Sequence, residues 1–557
     1  MKKNYKKFAL LSIVAGFSTF VFAGCSGEAS EDTTNKAESN VFGTSVFAIS
    51  DLNGVFSPFF YTTAFDDMIN DRINLSLITL DRQGQIVSSA ADYTIEEINN
   101  EGQLQTVYTF TLKDNILFSD GEPMTADDVL FNFLVLLDPT YDGMSTLNTL
   151  DIVGLADYKD GDATEVSGIK KIDDKTIQVT INGIDPAAIH KFGISVVPEH
   201  YYGTTFVKGD LSGVKAKNSV PLGAGPFMFE SFENNVVSLV NNPNYAFGAP
   251  KLEKLKFQVT DHANMFEAVR TGQVDLSDPS ASPEMVANSD EAKLHYELID
   301  NLGYGYVGIN ANRITDLNVR KGLMHLMNRA PAIESYYGDL ATVIERPMST
   351  VSWAYPQDAK EYYGYNVAKA KEYFTAAGYK EVDGKLMKDG EQLRIEVGIP
   401  GGGTMDHPTA PVLTQMKSDL EDMGAILEIA DTDGNVFFDI LNQKGWDMWV
   451  AAWGSTADPD MYQVYHSTGP SNHYCIYNDE LDNIIVEARE TNDIPTRSNL
   501  YHEALEIIMD QAVEMPIYQR KNMYLFNPEM INVSTLPDNM TPYYNFYNEL
   551  QNLEMVR

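Results

Sequence analysis

Cysteine is nearly absent from this chain: Cys25 and Cys475 are the two in 557 residues. A disulfide framework is therefore excluded, and stability has to come from burying an apolar core, for which a 44% share of apolar residues is ample. Basic residues are scarce as well, 40 against 79 acidic ones, a formal charge of −39. A surface of that sign repels phosphate backbones, which excludes nucleic acid as a partner. Nine scattered histidines show no ligand spacing, so no metal site is expected. The catalytic signatures HExxH, GxSxG, the phosphate-binding GxxxxGK followed by Ser or Thr, and CxxC are all missing. No catalytic residue and no cofactor are assigned, and an enzyme is not expected. Two weaker signals also fall short. The run Gly401 to Gly403 has no lysine or arginine in its loop and reads as a strand-to-helix connection. DTDGN, residues 431 to 435, has its glycine and its twelfth residue, Asn442, wrong for a calcium loop.

One long hydrophobic run is present, and it stands at the start. Lys2, Lys3, Lys6 and Lys7 precede the apolar stretch from Phe8 to Ala23, an export signal by its order of charge and hydrophobicity. Its about sixteen residues are short for a membrane span, which needs roughly 20. Phe22-Ala23-Gly24-Cys25 resembles the bacterial lipobox, which implies cleavage before Cys25 and lipidation of its thiol. Two acyl chains, at ~0.8 kcal/mol per buried CH₂, hold a protein to a bilayer where one does not. Residues 1–24 are thus expected to be a lipoprotein signal peptide and residues 25–40, which lack any aromatic or branched aliphatic side chain, a flexible tether. Loss of the signal removes four lysines and takes the charge to −43. Cys475 is then left without a partner.

From Val41 onward no long linker or short-period repeat interrupts the chain. TVYTFTL (106 to 112) and TIQVTI (176 to 181) alternate as half-buried antiparallel strands do. DGEPMTADDVLFNFLVLLDP predicts a turn and then a helix, with Thr125 as N-cap, Asp128 completing an imperfect capping box and Pro139 past the end. DYKDGDATE (157 to 165) reads as a hairpin tip, and GAGPF (223 to 227) as a tight turn entering a strand. Later the rhythm becomes βαβ: LRIEVGIP (393 to 400), a helix ending at Gly424, and AILEIAD. Further helices are expected over VRKGLMHLMNR (319 to 329) and over NVAKAKEYFTAAG, with Asn366 as N-cap and Gly378 as stop.

Four stretches in this order carry a family resemblance: ILFSDGEPMTADDVLFNF (116 to 133); SVVPEHYY, VPLGAGPFMFESF and LVNNPNYAFGAPKLEKLKFQV; AVRTGQVDL, YGYVGINAN and LNVRKGLMHLMNR; and WDMWVAAWGSTADPDMYQVYHS with YNDELDNIIVEARE. From about Phe42 to the C-terminus the chain resembles the extracellular solute-binding proteins of peptide ABC transporters. The resemblance implies an α/β, two-lobed, hinged periplasmic-binding-protein fold with an extra subdomain inserted in the first lobe. It puts lobe I at 41–85, 218–300 and 520–557, the inserted subdomain at 86–217 and lobe II at 301–519, with crossings near Asn301 to Tyr306 and Pro516 to Lys521.

The resemblance further implies a monomeric receptor on the outer face of a bacterial cell membrane that captures a peptide between its lobes and hands it to a membrane permease. Ligand-binding residues carried over are Trp453, Gly454, Ser455 and Thr456, with Tyr518 at a cleft-tyrosine position, Phe437 lining a pocket, and NGVFSPFFYTT (53 to 63) as a ligand-edge segment. Peptide-binding relatives often have W-x-x-D-x-x-D-P, whose first aspartate pairs with the ligand's α-ammonium group. Here WGSTADPD is one residue shorter, and Ser455 stands nearest that position. Recognition of a free N-terminus is thereby not expected. An oligosaccharide or metal chelate is the alternative solute. A sensory or adhesive surface lipoprotein is the alternative outside transport, and a cell-surface hydrolase lacks an acid, base and nucleophile set.

Overall fold

In the strand Thr176–Asn182, Ile177, Val179 and Ile181 are buried while their neighbours are half-exposed, the alternation expected from the sequence. It pairs antiparallel with Gln103–Leu112, Phe110 opposite Ile177 and Tyr108 opposite Val179. With Ala91–Asn100 and Ile169–Lys171 on the outside, these make a separate four-stranded sheet. Its apolar face shares one core with the helix Ala126–Leu136. Asp128 starts that helix, its carboxylate accepting from the backbone N–H of Thr125 at 2.8 Å and from the Thr125 hydroxyl at 3.0 Å. The computed structural model describes residues 41–405 and 407–556. The expected signal peptide, Cys25 and the expected tether lie outside the described residues.

Two sequence expectations are corrected. Residues 157 to 165 do not form a hairpin tip: Leu155–Asp160 is a helical turn closed by Gly161 in the left-handed region, φ 86. Tyr158 anchors it, buried beneath the Lys208 ammonium, 3.7 Å from the ring centre. The helix expected over 319 to 329 ends at Met324, and a second one, Arg329–Tyr337, begins after Asn328. Pro331 is the reason. It has no N–H to offer inside a continuous helix, yet is tolerated in a first turn.

The large sheet has 12 strands and two halves. In one, Thr44–Ile49 runs parallel to Lys254–Val259, which continues antiparallel into Val236–Asn241 and Phe227–Glu233. The other contains the expected βαβ unit: Arg394–Ile399 lies parallel to Ile426–Asp431, and the helix Ala410–Asp422 connects them. One 13-residue strand, Glu514–Phe526, belongs to both halves. Its first part pairs with Tyr304–Ile309 and its last part with His295–Asp300. At the junction Asn301 N–H donates to the Arg520 carbonyl at 2.8 Å, and Gln519 Nε2 donates to the Asn301 carbonyl at 2.7 Å. The buried apolar side chains form separate clusters for the inserted sheet, for the half around Phe47 and Phe257, and for each face of the half around Tyr304–Ile309. This is the α/β, two-lobed architecture with an inserted subdomain. Among the described residues no helix is long and apolar enough to cross a membrane.

Candidate functional site

The strand Met448–Trp453 is paired unequally on its two sides. Tyr304–Ile309 covers all six residues on one side, whereas Arg394–Ile399 reaches Met448 and Trp449 on the other. Beyond Trp449 that second edge is open, and the chain runs on through Gly454, Ser455 and Thr456, whose backbone N–H groups have no partner among the described residues. These four residues, Trp453 to Thr456, line a cavity of about 200 Å³ together with Tyr304, Met348, Asp458, Asp460 and Tyr465. The Trp453 indole stacks on Tyr306, ring centres 5.9 Å apart and 4° from parallel, and its Nε1–H donates to the Tyr474 hydroxyl at 3.1 Å.

The loop after Trp453 keeps its shape through one ion pair. Asp458 takes a two-pronged contact from Arg497 at 2.8 and 2.9 Å, with both side chains more than nine-tenths buried. Arg497 also donates to the Ala488 carbonyl at 3.0 Å and to the Tyr501 hydroxyl at 2.9 Å, so four of the five N–H groups of its planar fork are used. Thr456 Oγ1 donates to the Asp458 carbonyl at 2.6 Å. Asp460 accepts from the Tyr462 N–H at 3.0 Å and meets Arg489 at 3.3 Å. Both carboxylates on the cavity wall therefore already have an arginine.

Behind the wall lies a third acid, Glu514, fully buried. It accepts from the Tyr304 hydroxyl at 3.0 Å and from the Tyr465 hydroxyl at 2.8 Å. Burial pushes its carboxyl up to about 7, against the pull of hydrogen bonds from Tyr474, Tyr465 and Tyr304. Sequence reasoning missed Glu514, Tyr304, Tyr465 and Arg497. The one available signal was an acid inside the run VEMPI, since a charged residue in an otherwise apolar strand needs partners.

Tyr518 and Phe437 are not brought to this cavity. Register puts Tyr518 opposite Gly305, on the sheet face away from Trp453, where it packs against Tyr337 with ring centres 5.3 Å apart. A Cβ on Gly305 would stand 2.5 Å from the Tyr518 ring, so glycine there lets the ring lie on the strand. Phe437 is fully enclosed and stacks on Trp446. The expectation that it lines a pocket is corrected, because the helix Gly434–Asn442 turns it into the core. Asp433 caps that helix by accepting from the Asn435 N–H at 2.9 Å.

The wall continues toward the inserted subdomain. A second cavity of about 200 Å³ lies between Tyr93 and His190 on one side and Trp353, Asp458 and Arg497 on the other. A third, of about 300 Å³, shares His190 and is lined by Pro58, Tyr61 and Asp67. The expected edge segment 53 to 63 thus contributes Pro58, Phe59 and Tyr61, while Phe56 and Phe60 are core. His190 Nε2 stands 3.9 Å from Asp458, and Asn492 donates to Glu97 at 3.0 Å, so the subdomain touches the far wall. Among the described residues no group of three or more histidine, cysteine, aspartate or glutamate side chains is arranged to hold a metal.

Comparison with known proteins agrees with this architecture. The chain is similar to the oligopeptide-binding protein AppA of Bacillus subtilis, 26% identical over all of this chain and 99% of the relative. It is also similar to heme-binding protein A of Haemophilus influenzae, 22% identical over 91% of this chain and 93% of the relative. Among solved structures, the substrate-binding protein CtaP of Listeria monocytogenes superposes with a TM-score of 0.75 at 20% identity, over 92% of this chain and 99% of that one. The B. subtilis AppA structure with a nonapeptide gives 0.65 at 21% identity, over 92% and 99%. Residues 101–474 match the model of the middle region of the bacterial extracellular solute-binding proteins, family 5. That match spans more than half of the chain, and with two sheet halves joined by one shared strand the chain belongs to that family.

Proposed function

We propose that this protein is the substrate-binding component of an ABC importer and that it captures extracellular peptides between lobe I, residues 41–85, 218–300 and 520–557, and lobe II, residues 301–519. The observation that carries this is the open edge of Met448–Trp453 running on into Gly454 to Thr456 beside a cavity. Unpaired N–H and C=O groups on a strand edge bind an extended backbone whatever its side chains are. The row of three cavities sharing Asp458 and His190 suits an elongated ligand better than a compact one. The ligand leaves chemically unaltered, closure about the paired crossings at Asn301 and Arg520 encloses it, and a permease receives it. Cys25, lipidated, holds this single-chain receptor beside the permease and raises its effective concentration there.

Because Asp458 and Asp460 already face arginines, a free α-ammonium group finds no unpaired carboxylate on this wall. A synthetic hexapeptide and its N-acetylated form are expected to bind within about tenfold, a gap of ~1.4 kcal/mol. Calorimetry with both forms checks this, and a hundredfold loss on acetylation refutes it. Thermal shifts against peptide and glycan pools test the ligand class, since a binder at 100 times Kd adds ~2.7 kcal/mol. Stabilisation by glycans alone overturns the peptide assignment.

A further inference from the structure

Glu514 opens the shared strand Glu514–Phe526 opposite Gly308, on the sheet face that carries Tyr304, Trp449 and Trp453. A carboxylate there, removed from water, needs donors. The titratable groups acting on it are Tyr304 and Tyr306 from the strand Tyr304–Ile309, Tyr465 from the turn Tyr462–Tyr465, and Tyr474 from the segment after it; all are phenols. Each phenol has a single proton. Tyr304 and Tyr465, which both line the cavity, give theirs to Glu514, so their hydroxyl oxygens are left with lone pairs and no proton to offer a ligand. The Tyr474 ring stacks on Tyr465, and its hydroxyl accepts the Trp453 Nε1–H, which ties the indole to the same cluster.

We infer that Glu514 is a positioning residue for the ligand cavity: by collecting, when ionised, the hydroxyl protons of Tyr304 and Tyr465 it makes the aromatic wall an acceptor surface that takes an uncharged N–H, O–H or apolar ligand group and rejects a carboxylate. This rests on the reading that the Trp453 to Thr456 cavity receives the ligand. The backbone N–H groups of Gly454 to Thr456, which line the same cavity, are the donors available there to an amide carbonyl.

Glu514→Gln tests this. A glutamine amide offers one acceptor oxygen and two donors, so at least one tyrosine must accept from Nε2 and turn its own proton outward. At pH 8, where the carboxyl is ionised, wild type and Glu514→Gln are stripped of ligand and equilibrated with a random hexapeptide pool, and the retained peptides are sequenced by mass spectrometry. Wild type is expected to retain peptides depleted in aspartate and glutamate. Glu514→Gln is expected to lose that depletion and to bind the best wild-type peptide about tenfold more weakly, the effect of one misplaced hydrogen bond.

The second readout needs no ligand. The part of the tryptophan emission that Trp453→Phe removes should shift in Glu514→Gln and in Tyr474→Phe alike. Tyr474→Phe, which deletes one hydroxyl and keeps the ring, serves the same purpose if Glu514→Gln does not fold. Unchanged emission, or an unchanged set of retained peptides with wild-type affinity, overturns the inference. If wild type retains no peptide while the emission still shifts, Glu514 positions the wall and it is the peptide assignment that fails.

Discussion

The two faces of the sheet around Tyr304–Ile309 are built by opposite rules. One face is built on Val307, Ile309, Met448, Val450, Met515 and Ile517, all buried and all without a polar side-chain atom to satisfy, with Tyr518 at its edge opposite Gly305. The other, one residue out of phase on the same strands, is Tyr304, Tyr306, Trp449, Trp453 and Glu514, where ring stacking is threaded with hydrogen bonds. Alternation along a strand makes this segregation possible, because neighbours in sequence serve different cores. The apolar face can be repacked by anything of similar volume. The polar face cannot, since each hydroxyl has one partner and one direction. Stability and positioning are thus allotted to opposite sides of one strand, and substitutions on each side should separate them.

The largest expected effect is on the loop that the polar face supports. Asp458→Ala leaves the Arg497 guanidinium buried without its carboxylate and should cost about 3–5 kcal/mol of unfolding free energy in a denaturant titration. A loss below 1 kcal/mol would mean that water reaches the arginine and that the pair does not fix the loop. Next is the apolar face. Met448→Ala removes a fully buried side chain and is expected to cost about 2–5 kcal/mol while hexapeptide affinity stays as in wild type. If affinity falls in proportion to stability, the separation of the two faces is wrong.

How much of this could be read from the sequence differs between the faces in the same way. Periodicity located the strands Gln103–Leu112 and Thr176–Asn182 and the βαβ unit, because burial of alternate apolar residues is a local signal. Caps located Ala126–Leu136 and Val367–Ala376 for a related reason, Asp128 and Asn366 lying within three residues of the N–H groups they satisfy. Trp453 to Thr456 came from the family resemblance, and the structure gathers all four at one cavity. Tyr518 and Phe437 are not brought to that cavity, for want of register in the sequence reading: an aromatic in a strand or helix has two sides to face, and tertiary pairing decides which. The Glu514 cluster was invisible because the acid stands 49 residues from Tyr465 and 210 from Tyr304, so no local window joins it to its donors.

The polar face also imposes a pH dependence. The Glu514 carboxyl sits at about 7 in the fold against an ordinary 4.5, so its neutral form is the one the fold favours. That stabilisation is fully present below 4.5 and is lost as pH rises through 7, an amount of about 3 kcal/mol for this residue. Asp67, pushed up to about 7 by burial and then by the neighbouring Asp71, acts in the same direction. Melting temperature is therefore expected to fall between pH 5 and pH 8, and Glu514→Gln should flatten the fall without abolishing it. A curve that rises over this interval would place the ionised form of Glu514 as the favoured one.

The smallest effect is the most discriminating. Tyr474→Phe keeps the ring that packs on Trp449 and Tyr465 and deletes only the hydroxyl that accepts from Trp453. One hydrogen bond is worth about 1 kcal/mol, less than any substitution above. If the polar face exists to hold Trp453 against a ligand, that modest loss in unfolding free energy should come with a loss of hexapeptide affinity, measured by calorimetry, larger than the one Met448→Ala causes. The ratio of the two losses carries the comparison: a core substitution moves stability alone, while the deletion of a single hydroxyl on the other side of the sheet moves binding.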